Sequence, residues 1–345
     1  MPTFKRHKVL GLFDVDFRLE KLSLLNDPLE RLGKHVDFEM FRNLIEDRLV
    51  DATKSNVGRR PYDYVLMFKI LVLQRYYNIS DDRVEFQIND RLSFMRFLGL
   101  TFADDVPDSK TIWLFREKLN EKELVLPLFD LFLESLMSIG LIVNEGKIVD
   151  ASFVEVPKQR NSREENKEVK EGKTPEAWKI KPNKLAQKDV DARWTKKNNQ
   201  SYFGFKNHIK IDGGSKIIEK YFVSTASLHD SQATGNLLSQ MDEGQEFYAD
   251  SAYTGEYVES EIQKCMLVNK ICEKGTRSRS LTEEQKLSNK EKSKKRARVE
   301  HIFGFMHNSM DELYIHCIGI KRAEGVIGMI NLVYNMFRKI QLTVK

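Results

Sequence analysis

KIVDASFVEV, residues 147–156, is where the hydrophobic period of this chain changes. Before Gly146 apolar residues recur at helical spacing; here they alternate, as in a half-buried strand. Downstream, SYFGFKNHIKIDGGSKIIEKYFVSTAS (201–227) reads as two strands joined at Asp212-Gly-Gly, a hairpin signal. A helix starts near His229 and covers ATGNLLSQM (233–241), and EFYADSAYTG (246–255) is a short strand entering a turn. TGEYVESEIQKC (254–265) fits a helix, MLVNKICEK (266–274) a strand, residues 283–308 a long helix, and GVIGMINLVYNMFRKIQL (325–342) an apolar terminal helix. Strand, two strands, helix, strand, helix, strand, helix is the order of a mixed α/β layer.

Upstream the chain is mainly helical. PYDYVLMFKILVLQRYY (61–77) has proline at a first-turn position and a core composition. Ser80 is placed to cap a helix through Asp90, and VPDSKTIWLFREKL (106–119) opens on Pro-Asp-Ser capping chemistry with Ile112, Phe115 and Leu119 at helical spacing. Another helix runs over 125–139 and ends at Gly140. The expected division is a helical unit at 1–140 and an α/β unit at 141–345 that ends in a helix. Residues 157–200 form a basic excursion with few apolar anchors, expected as a loop or flap. Trp113 is assigned to the core.

A chain of 345 residues supports a sizeable core. No apolar run approaches the roughly 18 residues of a membrane span, so a soluble, cytoplasmic protein is expected. Three cysteines without CxxC spacing argue against a disulfide framework or a zinc site. The net charge of +5 is modest, but its distribution is uneven. Residues 156–200 hold 13 Lys and Arg against 7 Asp and Glu, and KEKSKKRAR (290–298) holds a single acid. Two basic tracts suggest a polyanion partner, although a solvated surface explains them equally well. Gly58, Arg59, Arg60 and Arg75 are further phosphate anchors by the same logic, and an exposed helix edge explains them as well.

Three acids occupy positions suited to chemistry. Asp150 lies within the first strand and Asp250 at the end of a later one, where a carboxylate needs a partner because an unpaired buried charge is costly. Either converging oxygen ligands for a hard cation or an ordinary turn cap satisfies that need. Glu300 sits on the long helix. Drawn at about 100° per residue, Glu300 falls roughly 40° and His307 roughly 20° from Arg296, while Val299, Ile302, Phe303 and Met306 form the adjoining apolar stripe. A metal ligand on a rigid helix and an i, i+4 Arg–Glu pair both fit that position.

With their flanks, these acids resemble the DDE transposases of bacterial insertion sequences, in particular the IS5-type group. The matching segments are Ile148-Val-Asp-Ala-Ser152, Ala249-Asp-Ser-Ala-Tyr253 and Arg296-Ala-Arg-Val-Glu300. Tyr202-Phe-Gly-Phe-Lys-Asn-His208, Thr225-Ala-Ser-Leu-His-Asp230 and Val106-Pro-Asp-Ser-Lys-Thr111 are similar to further family segments, in the family order. Two positions depart from the pattern: Ser293 and His307 stand where the family has Tyr and Lys. The spacing of 50 residues from Asp250 to Glu300 leaves no room for the large β insertion of some relatives.

The resemblance implies an RNase H-like catalytic domain with Asp150, Asp250 and Glu300 as catalytic and metal-binding residues for two Mg²⁺ or Mn²⁺ ions. It implies binding of double-stranded DNA at terminal inverted repeats, cleavage and strand transfer, and a homodimer on DNA. Lys206, His208, Arg296, Arg298 and His307 are the expected phosphate contacts. A transposase-derived DNA-binding protein without catalysis, and an RNase H-like nuclease without strand transfer, are the alternatives.

Overall fold

The computed structural model describes residues 11–50, 60–197, 199–275, 280–310 and 314–344. Gly58 and Arg59 therefore lie outside the described residues, and Arg60 is exposed. The N-terminal part is helical: α1 (Asp14–Leu24), α2 (Pro28–His35), α3 (Arg42–Leu49), α4 (Tyr64–Tyr76), α5 (Asp81–Asp90), α6 (Leu92–Leu98), α7 (Ser109–Glu121) and α8 (Val125–Ser138). Helix α4 starts three residues beyond Pro61, because Asp63 is its cap and accepts from the Leu66 amide at 3.0 Å. Asp108 caps α7 through the Thr111 amide in the same way. Ile112, Phe115 and Leu119 are buried as expected, but Trp113 is 42% exposed. It lies about 100° around the helix from Ile112, off the apolar stripe.

The sheet begins with β1 (Lys147–Glu155), followed by α9 (Arg163–Lys170), α10 (Glu176–Lys179), α11 (Pro182–Leu185) and β2 (Arg193–Lys197). The basic excursion is thus folded rather than a loop. Ser162 and Glu165 form a capping box on α9, and the Glu165 carboxylate also accepts from Trp178 Nε1 at 2.6 Å and Lys184 Nζ at 2.8 Å. These donors hold the Glu165 carboxyl down to about 2, with the Lys184 hydrogen bond the largest cause. Trp178 is fully buried, under Lys184 and Lys188.

β3 (Gln200–Asp212) and β4 (Ile218–Thr225) form the expected hairpin. Asp212 closes its turn by accepting from the Ser215 amide and hydroxyl at 2.7 Å each. At Gly213 a Cβ would stand 2.8 Å from the Glu145 carbonyl oxygen, so the close approach of two chain segments requires glycine there. The helix expected near His229 is reduced to a 3-10 turn and one helical turn, α12 (Thr234–Leu237). After it come β5 (Glu246–Tyr248), α13 (Glu256–Lys264), β6 (Val268–Asn269), α14 (Glu283–Ser309) and α15 (Ile320–Thr343).

Strands β4, β3, β1, β5 and β6 lie in that order, with β2 on the N-terminal end of β3. The β1–β3 and β3–β4 pairs are antiparallel, whereas β5 is parallel to β1 and β6 to β5. This is a mixed sheet with a helical N-terminal region and a C-terminal helix, the α/β class expected from the sequence. Its two faces bury separate clusters. Ile148, Val154, Ile209 and Ile211 pack toward α14 and α15, while Val149, Phe247 and Ala249 pack with Val258 and Ile262 of α13.

Helix α15 joins the two parts of the chain, contacting α4 and α8 on one side and β4 on the other. Its buried stretch carries two asparagines with defined partners. Asn331 exchanges amide hydrogen bonds with Asn207 at 2.7 and 3.1 Å, and Asn335 brackets the Ile218 backbone at 2.9 and 2.8 Å. Among the described residues no helix is long and apolar enough to cross a membrane. Replacing Asn335 by Ala orphans a buried amide and carbonyl of β4, so thermal or urea unfolding is expected to show a loss of about 2–4 kcal/mol.

Candidate active site

Residues opposite one another in a paired strand share a face. Asp150 faces Ile209 across the β1–β3 ladder, and Ile148 faces Tyr248 across the parallel β1–β5 pair. Two residues on from that pair come Asp150, still within β1, and Asp250, just past the end of β5, close enough for the charge of Asp250 to act on the Asp150 carboxyl. Strand β5 ends at Tyr248, so Asp250 also caps the turn over Ser251–Tyr253, accepting from the Ala252 amide at 2.9 Å.

Helix α14 crosses the same face. Val299, Ile302 and Met306 are fully buried and Phe303 partly so, which fixes the rotation of the helix and presents Arg296 and Glu300 at the border of the buried stripe. Arg296 spans the two acids: its Nη1 donates to Asp150 Oδ2 at 3.0 Å and its Nη2 to Glu300 Oε1 at 3.3 Å. The Asp150 side chain is 16% exposed and that of Glu300 60%. The i, i+4 pair of Arg296 and Glu300 is present, and the same guanidinium also reaches Asp150 on β1. Among the described residues no three His, Cys, Asp or Glu side chains stand as a ready metal cluster.

Electrostatics single out Asp150. Burial raises its carboxyl to about 6, and the neighbouring Asp250 charge adds to the rise; the Ala151 amide, Arg296 and Lys197 oppose it. Lys197, exposed at the end of β2, is a cation that sequence reasoning missed, since the excursion was expected as a loop or flap. Tyr253 was also passed over, although it belongs to the Ala-Asp-x-x-Tyr segment. Its ring is 1% exposed, and its phenol is raised well above 10 by burial and by the charges of Asp150, Asp230 and Asp250. Its hydroxyl has no hydrogen-bond partner among the described residues.

Lys206 and His208 are not presented to a phosphate. They pair with Phe153 and Ala151, on the sheet face opposite to Asp150. Lys206 is 7% exposed and its ammonium is taken up by Asp230 and the Leu228 carbonyl, at 2.7 Å each. His208 is fully buried against the Ser224 hydroxyl, and burial pulls it down to about 4, so it is neutral near pH 7. Arg298 is half-exposed and donates to the Gly213 carbonyl. His307 is exposed two turns beyond Glu300, and Ser293 is exposed near the Cys272 thiol, at 3.7 Å.

Residues 143–336 match the family described as "Transposase DDE domain", which covers more than half of the chain, and residues 17–118 match "Transposase domain (DUF772)". This chain belongs to the DDE transposase family. A solved structure, a cryo-EM structure of the piggyBac transposase synaptic complex with hairpin DNA, is similar at 14% identity over 93% of this chain and 75% of that one. Its TM-score is 0.44, too slight a likeness to carry detail across. As a transposase, the protein belongs with enzymes that cleave DNA and whose family generally uses divalent metal ions.

The raised Asp150 carboxyl has a measurable consequence in this transposase. Between pH 4 and 6 the native metal-free protein holds a proton that the unfolded chain releases, so its stability falls as pH rises through that window. Asp150→Asn removes this slope. In unfolding experiments with a chelator, the variant is expected to be more stable than wild type above pH 6 by on the order of 2 kcal/mol, and equal to it near pH 4. A loss of stability at pH 7.5 would mean that the Arg296 contact outweighs burial.

Proposed function

We propose that this DDE transposase binds the terminal inverted repeats of an insertion sequence of the IS5 type, cleaves the DNA there and joins the freed ends to a target. The observation that carries the reading is Arg296 of α14 reaching both Asp150 and Glu300, with the charge of Asp250 acting on the same Asp150 carboxyl. These three residues would hold two Mg²⁺ or Mn²⁺ ions, which supply Lewis acidity and an activated oxygen nucleophile for phosphoryl transfer.

The residues present suit such ions. Asp150 and Asp250 offer hard oxygen donors on fixed backbone, and two acids this close resist joint ionisation without a counter-charge. Arg296 supplies that charge in the free protein through its 3.0 Å contact with Asp150. Glu300 lies one helical turn from Arg296, and its exposed carboxylate is free to reorient. Tyr253 stays protonated beneath Asp150 and Asp250, so it adds no third negative charge. Lys197, Arg298 and His307 are the exposed or half-exposed bases suited to steering phosphate.

The helical segment is where the inverted repeats are read in this proposal, since helices enter the major groove. Pairing two element ends calls for two protomers, so the active assembly is a homodimer on DNA. The departures at Ser293 and His307 favour testing catalysis directly against a silent DNA-binding descendant. Asp150→Ala, Asp250→Ala and Glu300→Ala are each expected to abolish Mg²⁺-dependent cleavage of labelled inverted-repeat DNA while retaining most of the binding. A variant that cuts at the wild-type rate would remove its residue from the site, and released but never joined ends would mark a simple nuclease.

A further inference from the structure

A cavity of about 970 Å³ opens between the N-terminal helices and the segment that follows α14, lined by Arg75, Arg91, Trp113, Arg116, His316 and Arg322 among others. It is separate from the carboxylates yet aligned with them. Tyr314 bridges to Glu155, the last residue of β1, and the Ile315 amide donates to the Glu155 carbonyl at 2.9 Å. Five residues of strand separate Glu155 from Asp150, roughly 16 Å.

Most of the cations in the wall are already matched. Arg116 makes a two-pronged contact with Asp81 at 2.7 and 2.5 Å, Arg322 pairs with Glu117 at 2.7 Å, and Arg91 stands 5.0 Å over the Phe94 ring. Arg75 is different. Among the described residues no carboxylate is bonded to it, and the nearest acid by influence, Asp81, is taken up by Arg116 and Gln74. Burial and the charge of Arg116 pull Arg75 down to about 10, so it is still a cation near pH 7. A partly buried guanidinium that lines a cavity with no carboxylate of the described residues bonded to it is suited to an incoming anion, and its planar fork matches a phosphate.

Shape and surroundings narrow the anion. A duplex, whose major groove alone is about 12 Å wide, does not enter a cavity of this size, whereas a nucleotide-sized group does. Trp113 is exposed at the wall, as an aromatic that stacks on a base must be. On the other side of the same segment a second cavity of about 410 Å³ shares His316, Cys317 and Ile318 and is lined by Lys158, Lys184 and Lys188. Basic walls therefore continue on both sides of residues 316–318.

We infer that the larger cavity is a second DNA site, in which Arg75 binds a backbone phosphate of an unpaired strand and Trp113 stacks on one of its bases. Glu155, bonded to the cavity-lining Ile315, lies roughly 16 Å along β1 from Asp150, so a short single strand leaving the acids runs toward the cavity. The inference rests on the transposase reading for naming DNA as the polyanion.

The test uses the full chain with a short labelled oligothymidylate, a blunt duplex and free dTMP as probes. Arg75→Gln is expected to weaken oligothymidylate binding roughly ten-fold or more and to lower the slope of log affinity against log salt by about 0.7, with Arg75→Lys partly restoring both. Trp113→Ala, at an exposed position, is expected to weaken it roughly ten-fold with an unchanged melting temperature. Blunt-duplex binding stays within two-fold of wild type in these variants. If Arg75→Gln melts early, Trp113→Ala decides alone. Oligothymidylate affinity that is unchanged in a folded variant overturns the site, and dTMP binding as tightly as the oligonucleotide overturns its assignment to a strand. Failure of the transposase reading looks different: cleavage would survive Asp150→Ala while oligothymidylate binding kept its dependence on Arg75.

Discussion

A β-strand can present a side chain to one face of its sheet only, and both faces of β1 are covered. Ile148, Asp150 and Val154 are committed to the side of α14 and α15, and Lys147, Val149 and Ala151 to the side of α12 and α13. A one-residue slip would exchange the two sets and bury charge on both faces, so the register of β1 against β3 is strongly specified. That register decides the chemistry. It brings Asp150 under the helix of Glu300 and sends Lys206, His208 and Lys210 to the other face. There Lys206 meets Asp230, and Lys210 meets Asp242 at 2.7 Å.

Helix α15 holds this sheet against the N-terminal helices, and it does so with nearly its whole circumference buried. A helix surrounded on all sides has little to fix its rotation if its surface is only greasy. Asn331 and Asn335 provide direction, because each has partners at one rotation and one depth only, and a misplaced amide there would be left unpaired. The two sequence segments identified by family thus share one continuous core, which runs from Phe41 and Phe68 through Ile327 and Leu332 to Ile209. The division expected near residue 140 marks a change of secondary structure within that core. It also means that the walls of the Arg75 cavity, drawn from α4, α7 and the segment before α15, are held in fixed relation to β1.

What the sequence disclosed was what depends on near neighbours along the chain. The alternation of 147–156, the Asp212-Gly-Gly hairpin and the apolar stripe of α14 all rest on spacings of two to four residues, and each appears in the fold as read. Glu300 at the border of that stripe followed from periodicity. What stayed hidden depends on partners far apart in sequence. The excursion looked unanchored because its anchor is assembled from Ser162, Glu165, Trp178 and Lys184; only the Ser-x-x-Glu capping box was a local signal. Lys206 and His208 looked like site residues because they flank the acids in the motif order, while the face they occupy is set by pairing with β1, 50 and more residues earlier. Trp113 was misjudged for a simpler reason, since hydrophobic size outweighed an angular position that faces away from Ile112 and Phe115.

Arg296 shows how closely the charges of the site are balanced. Asp150 is buried beside Asp250, and its carboxyl is raised even with a guanidinium at 3.0 Å. The same guanidinium reaches Glu300 at 3.3 Å, so its two outer nitrogens are both engaged by acids that the family resemblance assigns to metal. A guanidinium in that position cannot also form a two-pronged contact with a phosphate. A cation placed between the carboxylates would take over the counter-charge that Arg296 now provides, and like-charge repulsion would then favour its swing outward along the exposed stripe that carries His307. The expectation that Arg296 touches DNA is therefore conditional on the acids having another counter-charge. The sequence pattern Arg-x-x-x-Glu sets up that dependence by placing the base one helical turn from the acid it must release.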